Sequence, residues 1–191
     1  SYTTLLDAGL DKFTTVLFGG TTGYNIVERD PFRNSSIADG ATDATSSPLY
    51  SLKRTVDTVS DADQLQYNII SMPGVTNAKV TNHLLDMVED RSDALAIIDL
   101  ENVYTADTEN SASAADRNSF TVAQAVTSLE NRNINNSYGA AYYPWVRLRD
   151  RVGGQNDVLF APPSVAAIGA LAKSQGLSEL WFAPAGFNRG G

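Results

Sequence analysis

The sequence predicts a three-layer α/β fold, a mainly parallel sheet with helices on both faces, and three observations carry that prediction. Short apolar runs alternate along the chain with segments whose apolar residues recur at helical spacing. The runs are nearly continuous in apolar residues rather than alternating with polar ones, as in strands buried on both faces. The chain has 191 residues, of which 42% are hydrophobic and none is Cys. That length supports one domain with a core needing no disulfide, since folding buries roughly 70% of the unfolded chain's surface at this size. Residues 1–191 therefore read as a single α/β domain.

The elements follow in order. Thr14 to Phe18 (TTVLF) is a β-rich run that exits into the Gly19-Gly20-Thr21-Thr22-Gly23 loop. Pro31 to Pro48 is rich in Ser, Asp, Ala, Thr and Asn and reads as a long surface loop. Ser47 as N-cap and Pro48 in the first turn open a helix with Leu49, Leu52, Val56 and Val59 on one face. Tyr67 to Met72 is a short buried strand closed by Pro73-Gly74, and Asn77 to Arg91 a helix carried by Val80, Leu84, Leu85 and Val88. Asp93 to Leu100 (DALAIIDL) reads as the central parallel strand, with Asp99 and Glu101 at its C-terminal end. Residues 101–118 form a second long polar loop. Ser119 opens a helix facing inward through Val122, Ala125, Val126 and Leu129. Ser137 to Leu148 is one aromatic strand in which Pro144 marks a bend, bulge or edge position, and Val158 to Phe160 a further strand. Ser164 caps a last helix, which buries Val165, Ile168, Leu171 and Ala172 and ends at Gly176.

Composition removes several function classes. One His and no Cys exclude His/Cys zinc sites and thiol chemistry, leaving an all-oxygen shell for any metal. A net charge of −8 argues against nucleic-acid binding, which needs a basic face. No stretch reaches the ~20 apolar residues of a membrane span, so a soluble domain without membrane insertion is expected. The chain opens without Met and ends on FNRGG, as an excised fragment would.

Candidate chemical sites each meet a simpler explanation. The Gly19 to Gly23 loop fits neither the dinucleotide fingerprint nor the P-loop and reads as a tight turn. Asp99 and Glu101, with Asp107 and Glu109 downstream, could ligate Mg²⁺ or Ca²⁺, yet acidic residues closing a strand read first as solvated. Asp61-Ala62-Asp63 reads as a solvated loop. A Ser-His-Asp triad would have to use His83, which falls inside an amphipathic helix, and no G-x-S-x-G elbow exists. No catalytic, cofactor-binding or metal residue is assigned, and no cofactor is expected. Charge is uneven: residues 49–118 carry −7 and residues 119–191 carry +2, a distribution that favours head-to-tail contacts if it maps to faces. Arg147, Arg149 and Arg151 alternate at a strand end and form either a basic edge for an acidic neighbour or a solvated strand end.

In order, AAYYPWVRLRD at 140–150, APPSVAAIGALA at 161–172, Trp181 and APAGFNRG at 183–190 resemble the tail sheath proteins of contractile-tailed bacteriophages and related injection machines. PFRN at 31–34 and MPGV at 72–75 fit more weakly, and the resemblance spans about residues 67–191. It implies a non-enzymatic structural protein of the virion, assembled in the host cytoplasm, whose middle portion has a subtilisin-like fold without catalytic residues. Its partners would be other copies of itself, in hexameric rings and a helical array, together with tail tube and baseplate proteins. Contraction of the array would drive the tube through the host envelope without nucleotide. The family's terminal arms and C-terminal module would lie outside this chain, and Gln175 stands near where an acidic residue is common in the family. Pro184, Gly186, Asn188 and Arg189 form a structural turn in this reading, and Arg147, Arg149 and Arg151 are candidate inter-subunit contacts. The rival readings are a subtilisin-like hydrolase and an acidic α/β module that binds a small ligand.

Overall fold

The computed structural model describes residues 32–34, 37–101, 121–149, 158–179 and 181–186, with 158 and 159 described for backbone only. These residues form a mixed α/β fold: a parallel three-stranded sheet, four helices, and a separate two-stranded antiparallel hairpin. The run at 14–18, the Gly19 to Gly23 loop and the loop at 102–118 lie outside the described residues.

The first helix, α1 (Ser47–Thr58), is capped one residue earlier than expected, because the Ser46 hydroxyl accepts the Leu49 N–H at 3.4 Å and leaves Ser47 and Pro48 in the first turn. Leu49, Leu52 and Val56 are buried on one face. β1 (Ile69–Ser71) ends before a turn in which Gly74 takes φ +81°, a conformation that glycine adopts without strain. In α2 (Ala78–Arg91) the Asn77 side chain accepts the Lys79 N–H at 3.0 Å, and the helix stops at Ser92 in the left-handed conformation. β2 (Leu95–Asp99) lies between β1 and β3 (Gly139–Tyr142) and is parallel to both, with Ile69 opposite Leu95 and Ala96 opposite Gly139.

Strand periodicity distributes the packing. Ala96 and Ile98 join Leu84, Leu85, Val88 and Val56 in one buried cluster, so this face of β2 carries α2 with α1 behind it. The intervening residue Asp99 points to the other face, where α4 (Pro163–Leu177) begins. Helices therefore lie on both faces of β2. The described residues of the 31–48 segment are anchored to the core rather than forming a free excursion. Ile37 is buried with Leu49, Leu52, Val75 and Val80, and Lys79 Nζ donates to the Asp39 and Ala41 carbonyls at 2.5 Å each.

Four expectations change in the C-terminal half. The run from 137 to 148 is two strands, β3 and β4 (Val146–Arg149), broken at the cis Tyr143–Pro144 peptide, where Pro144 has no N–H to offer a ladder. β5 (Val158–Ala161) pairs antiparallel with β4, Arg147 opposite Phe160 and Arg149 opposite Val158, and does not join the parallel sheet. α3 (Val122–Glu130) closes a capping box between Thr121 and Gln124, but of its expected inward residues only Ala125 is buried, while Val122 and Val126 are exposed. α4 starts at Pro163 with Pro162 as N-cap, exposes Val165 and Ala172, and runs to Leu177. Its apolar residues surround the helix instead of forming a stripe, so periodicity gave no inner face to find.

Candidate functional site

The parallel sheet presents its chemistry at the C-terminal ends of its strands, and there the structure buries a charge. Asp99 is 0% exposed, which corrects the expectation of a solvated strand-end carboxylate. Its Oδ1 accepts the Ser164 N–H at 2.9 Å, and its Oδ2 accepts the Ser164 hydroxyl at 2.7 Å and the Gly74 N–H at 3.0 Å. A buried carboxylate persists only where donors replace water, and three of them converge here. Pro162 has no side chain with which to cap α4, so Asp99 supplies from β2 the anionic cap that the helix start lacks. Ser164 is thus not the N-cap expected from sequence. It lies inside the first turn, is 0% exposed, and its hydroxyl is spent on Asp99.

Two neighbouring contacts join the same strand end. Trp145 Nε1 donates to the Leu100 carbonyl at 2.8 Å, tying the start of β4 to the exit of β2. Arg132, just beyond α3, donates from its two terminal nitrogens to Thr81 Oγ1 at 3.0 Å and to the Thr76 carbonyl at 3.1 Å, and Asn34 bonds Thr76 and Asn77 beside it. Burial lowers the Arg132 pKa, and the Glu101 charge acts in the opposite direction. These polar struts connect segments far apart in sequence and present no reacting group to solvent.

His83 stays on α2, with its Nε2 2.7 Å from Asp57 Oδ1 on α1, on the α1–α2 side of the sheet; Ser164 belongs to the α4 side. The two are not assembled into a triad. Asp61 and Asp63 form a local turn, the Asp63 N–H donating to Asp61 Oδ1 at 2.9 Å. Among the described residues no group of three His, Cys, Asp or Glu side chains is arranged to hold a metal ion; Asp107 and Glu109 lie outside them. Beside β3 a cavity of about 500 Å³ is lined by Leu85, Ile98, Leu129, Ile134 and Gly139, with Glu130 as its one charged side chain. Among the described residues no helix is long and apolar enough to cross a membrane.

The candidate contact residues fall into two groups. Arg147 and Arg149 are exposed on β4, two residues apart and hence on one face of the hairpin, with no ion pair among the described residues. In the turn, Pro184 is half-buried and Gly186 takes φ +143°, while Trp181, 81% exposed, packs edge-on against Phe182. Arg151, Asn188 and Arg189 lie outside the described residues.

The feature missed from sequence is the Asp99 node, and a signal for it existed. In a strand with Ile97 inside, period-2 alternation puts residue 99 on the same face as Ile97, so an acid there is buried and requires donors. Comparison with protein-family models, with curated proteins and with solved structures finds no match to this chain.

Proposed function

We propose that this chain is the subtilisin-like middle portion of a tail sheath subunit, a non-enzymatic building block that polymerises helically around a tail tube and contracts to drive the tube through a host envelope. In this reading it belongs to the virion, is assembled in the host cytoplasm, and has other sheath subunits, the tube and the baseplate as partners. The observation that carries the reading is the ordered set of motifs at 140–150, 161–172 and 183–190, the first two of which meet at one point of the fold. Trp145 of the first bonds the Leu100 carbonyl and Ser164 of the second bonds Asp99, so the residues that give the resemblance hold the end of the central strand. A structural role also suits Ser164, whose hydroxyl is buried against a carboxylate, with the lone His on the other side of the sheet.

Electron microscopy of the purified full-length polypeptide tests this reading: tubes or stacked six-fold rings are expected, and dispersed monomers at high concentration would contradict it. A serine-hydrolase probe tests the enzymatic rival. No labelling is expected, and labelling lost in Ser164→Ala would establish that rival instead.

A further inference from the structure

We infer that the β4–β5 hairpin is a docking arm whose Arg147 and Arg149 seat in the acidic groove between α1 and α2 of a second copy of this chain. The inference rests on the self-assembly in the proposed function and names the surfaces that meet. Among the described residues β4 pairs with β5 alone, in a two-stranded sheet, and Arg147, Leu148 and Arg149 are all exposed on it. Such a ribbon is marginal in water by itself and gains from a partner surface.

The complementary surface lies on another part of the fold. Asp57 and Asp61, at and after the end of α1, face His83, Asp86 and Asp90 of α2 across an open groove. The one guanidinium there, Arg91, is already engaged by Asp93 and by the Val59 and Leu65 carbonyls. Asp86 and Asp90 have no hydrogen-bond or ion-pair partner among the described residues. Spacing agrees with charge. Residues two apart on a strand stand about 6.6–6.8 Å apart along its axis, and residues four apart on a helix about 6 Å, so Arg147 and Arg149 can meet Asp90 and Asp86 pairwise. Donor and acceptor surfaces differ, so the contact is head-to-tail and propagates instead of closing as a symmetric dimer. Leu148, between the two arginines, points to the hairpin's other face and leaves the charged face free of apolar obstruction.

The test is sedimentation of the full-length polypeptide at low salt with two double charge reversals and their combination. Arg147→Glu with Arg149→Glu, and separately Asp86→Lys with Asp90→Lys, are each expected to weaken self-association by about tenfold or more, with the difference shrinking as salt rises. The four-fold variant, which restores opposite charges, is expected to recover association, a result that misfolding of either parent would not produce. Unchanged association in both double variants, or no recovery in the combination, overturns the inference. Micrographs of the same samples separate it from the sheath reading. Tubes that persist in the double variants sink the docking contact alone, whereas reversible association without tubes or rings sinks the sheath reading and leaves the contact standing.

Discussion

The segment from Ile37 to Leu100 and the segment from Thr121 to Gly186 are built to different standards. Among the described residues, all but two of the buried apolar side chains belong to the first, where α1, β1, α2 and β2 enclose two buried clusters; the exceptions are Ala125 and Pro163. The second has regular elements of comparable length but leaves Val122, Val126, Tyr142, Leu148, Val165, Leu177 and Trp181 exposed. The first segment holds itself together. The second joins it through the β2–β3 ladder, through Ile134 and Tyr138 packed on its buried cluster, and at polar points, Asp99 to Ser164, Leu100 to Trp145 and Thr76 to Arg132, while much of its remaining apolar surface faces outward.

Breaking the link between the segments has the largest expected effect. Asp99→Ala leaves two N–H groups and one hydroxyl buried without their acceptor and is expected to cost about 3 kcal/mol or more in urea unfolding. Leu84→Ala, inside the first segment, is expected to cost about 2–5 kcal/mol through lost burial and the cavity left behind. Ser164→Ala removes the hydroxyl that is one of the three donors and leaves the two N–H groups in place, so about 1–2 kcal/mol is expected.

Acid sharpens the same contrast. Asp93 at the end of α2 is held below the usual carboxylate range, first by its hydrogen bonds from Arg91, whose own pKa they raise. A carboxylate with a depressed folded-state pKa contributes stability that is present above its unfolded value, near 4, and is lost as pH falls through the folded one. Unfolding midpoints of Asp93→Asn should therefore fall less steeply below pH 4 than those of the unchanged chain. The smallest effects belong to the second segment: Val126→Ala and Leu177→Ala should each stay within about 0.5 kcal/mol, because neither side chain is buried. A cost near that of Leu84→Ala at either site would erase the contrast between the segments.

The first segment was legible in the sequence because its signals agree. Leu49, Leu52 and Val56, and Val80, Leu84, Leu85 and Val88, repeat at helical spacing and are all buried, and the DALAIIDL run contains the central strand. The second was less so for reasons that are physical. Val122, Ala125 and Val126 carry the same helical pattern with nothing packed over two of the three, so periodicity marked a helix without locating its inner face. Pro144 reads as a bend, bulge or edge position within one strand, and it is the pairing of β3 with β2 and of β4 with Val158–Ala161 that makes it a break between two. The Asp99 node joins residues 65 positions apart in sequence, a contact that local spacing does not encode. The basic edge at Arg147 and Arg149 was visible as alternation; the carboxylates matched to it required the α1–α2 packing to bring them to one groove.

In the proposed reading this chain is a self-assembling structural subunit in which the exposed elements of the second segment meet neighbours, the α1–α2 groove of the first receives the hairpin, and the buried core of the first segment stays closed. Hydrogen exchange on the full-length polypeptide, compared between dispersed and assembled samples, tests it most directly. Assembly is expected to slow exchange in Val122–Glu130, Val146–Arg149, the exposed turns of Pro163–Leu177 and the groove between α1 and α2, and to leave the central-strand amides of Leu95–Asp99 unchanged. Equal exchange of the second segment in both samples, or an absence of assembly at any concentration, would contradict it.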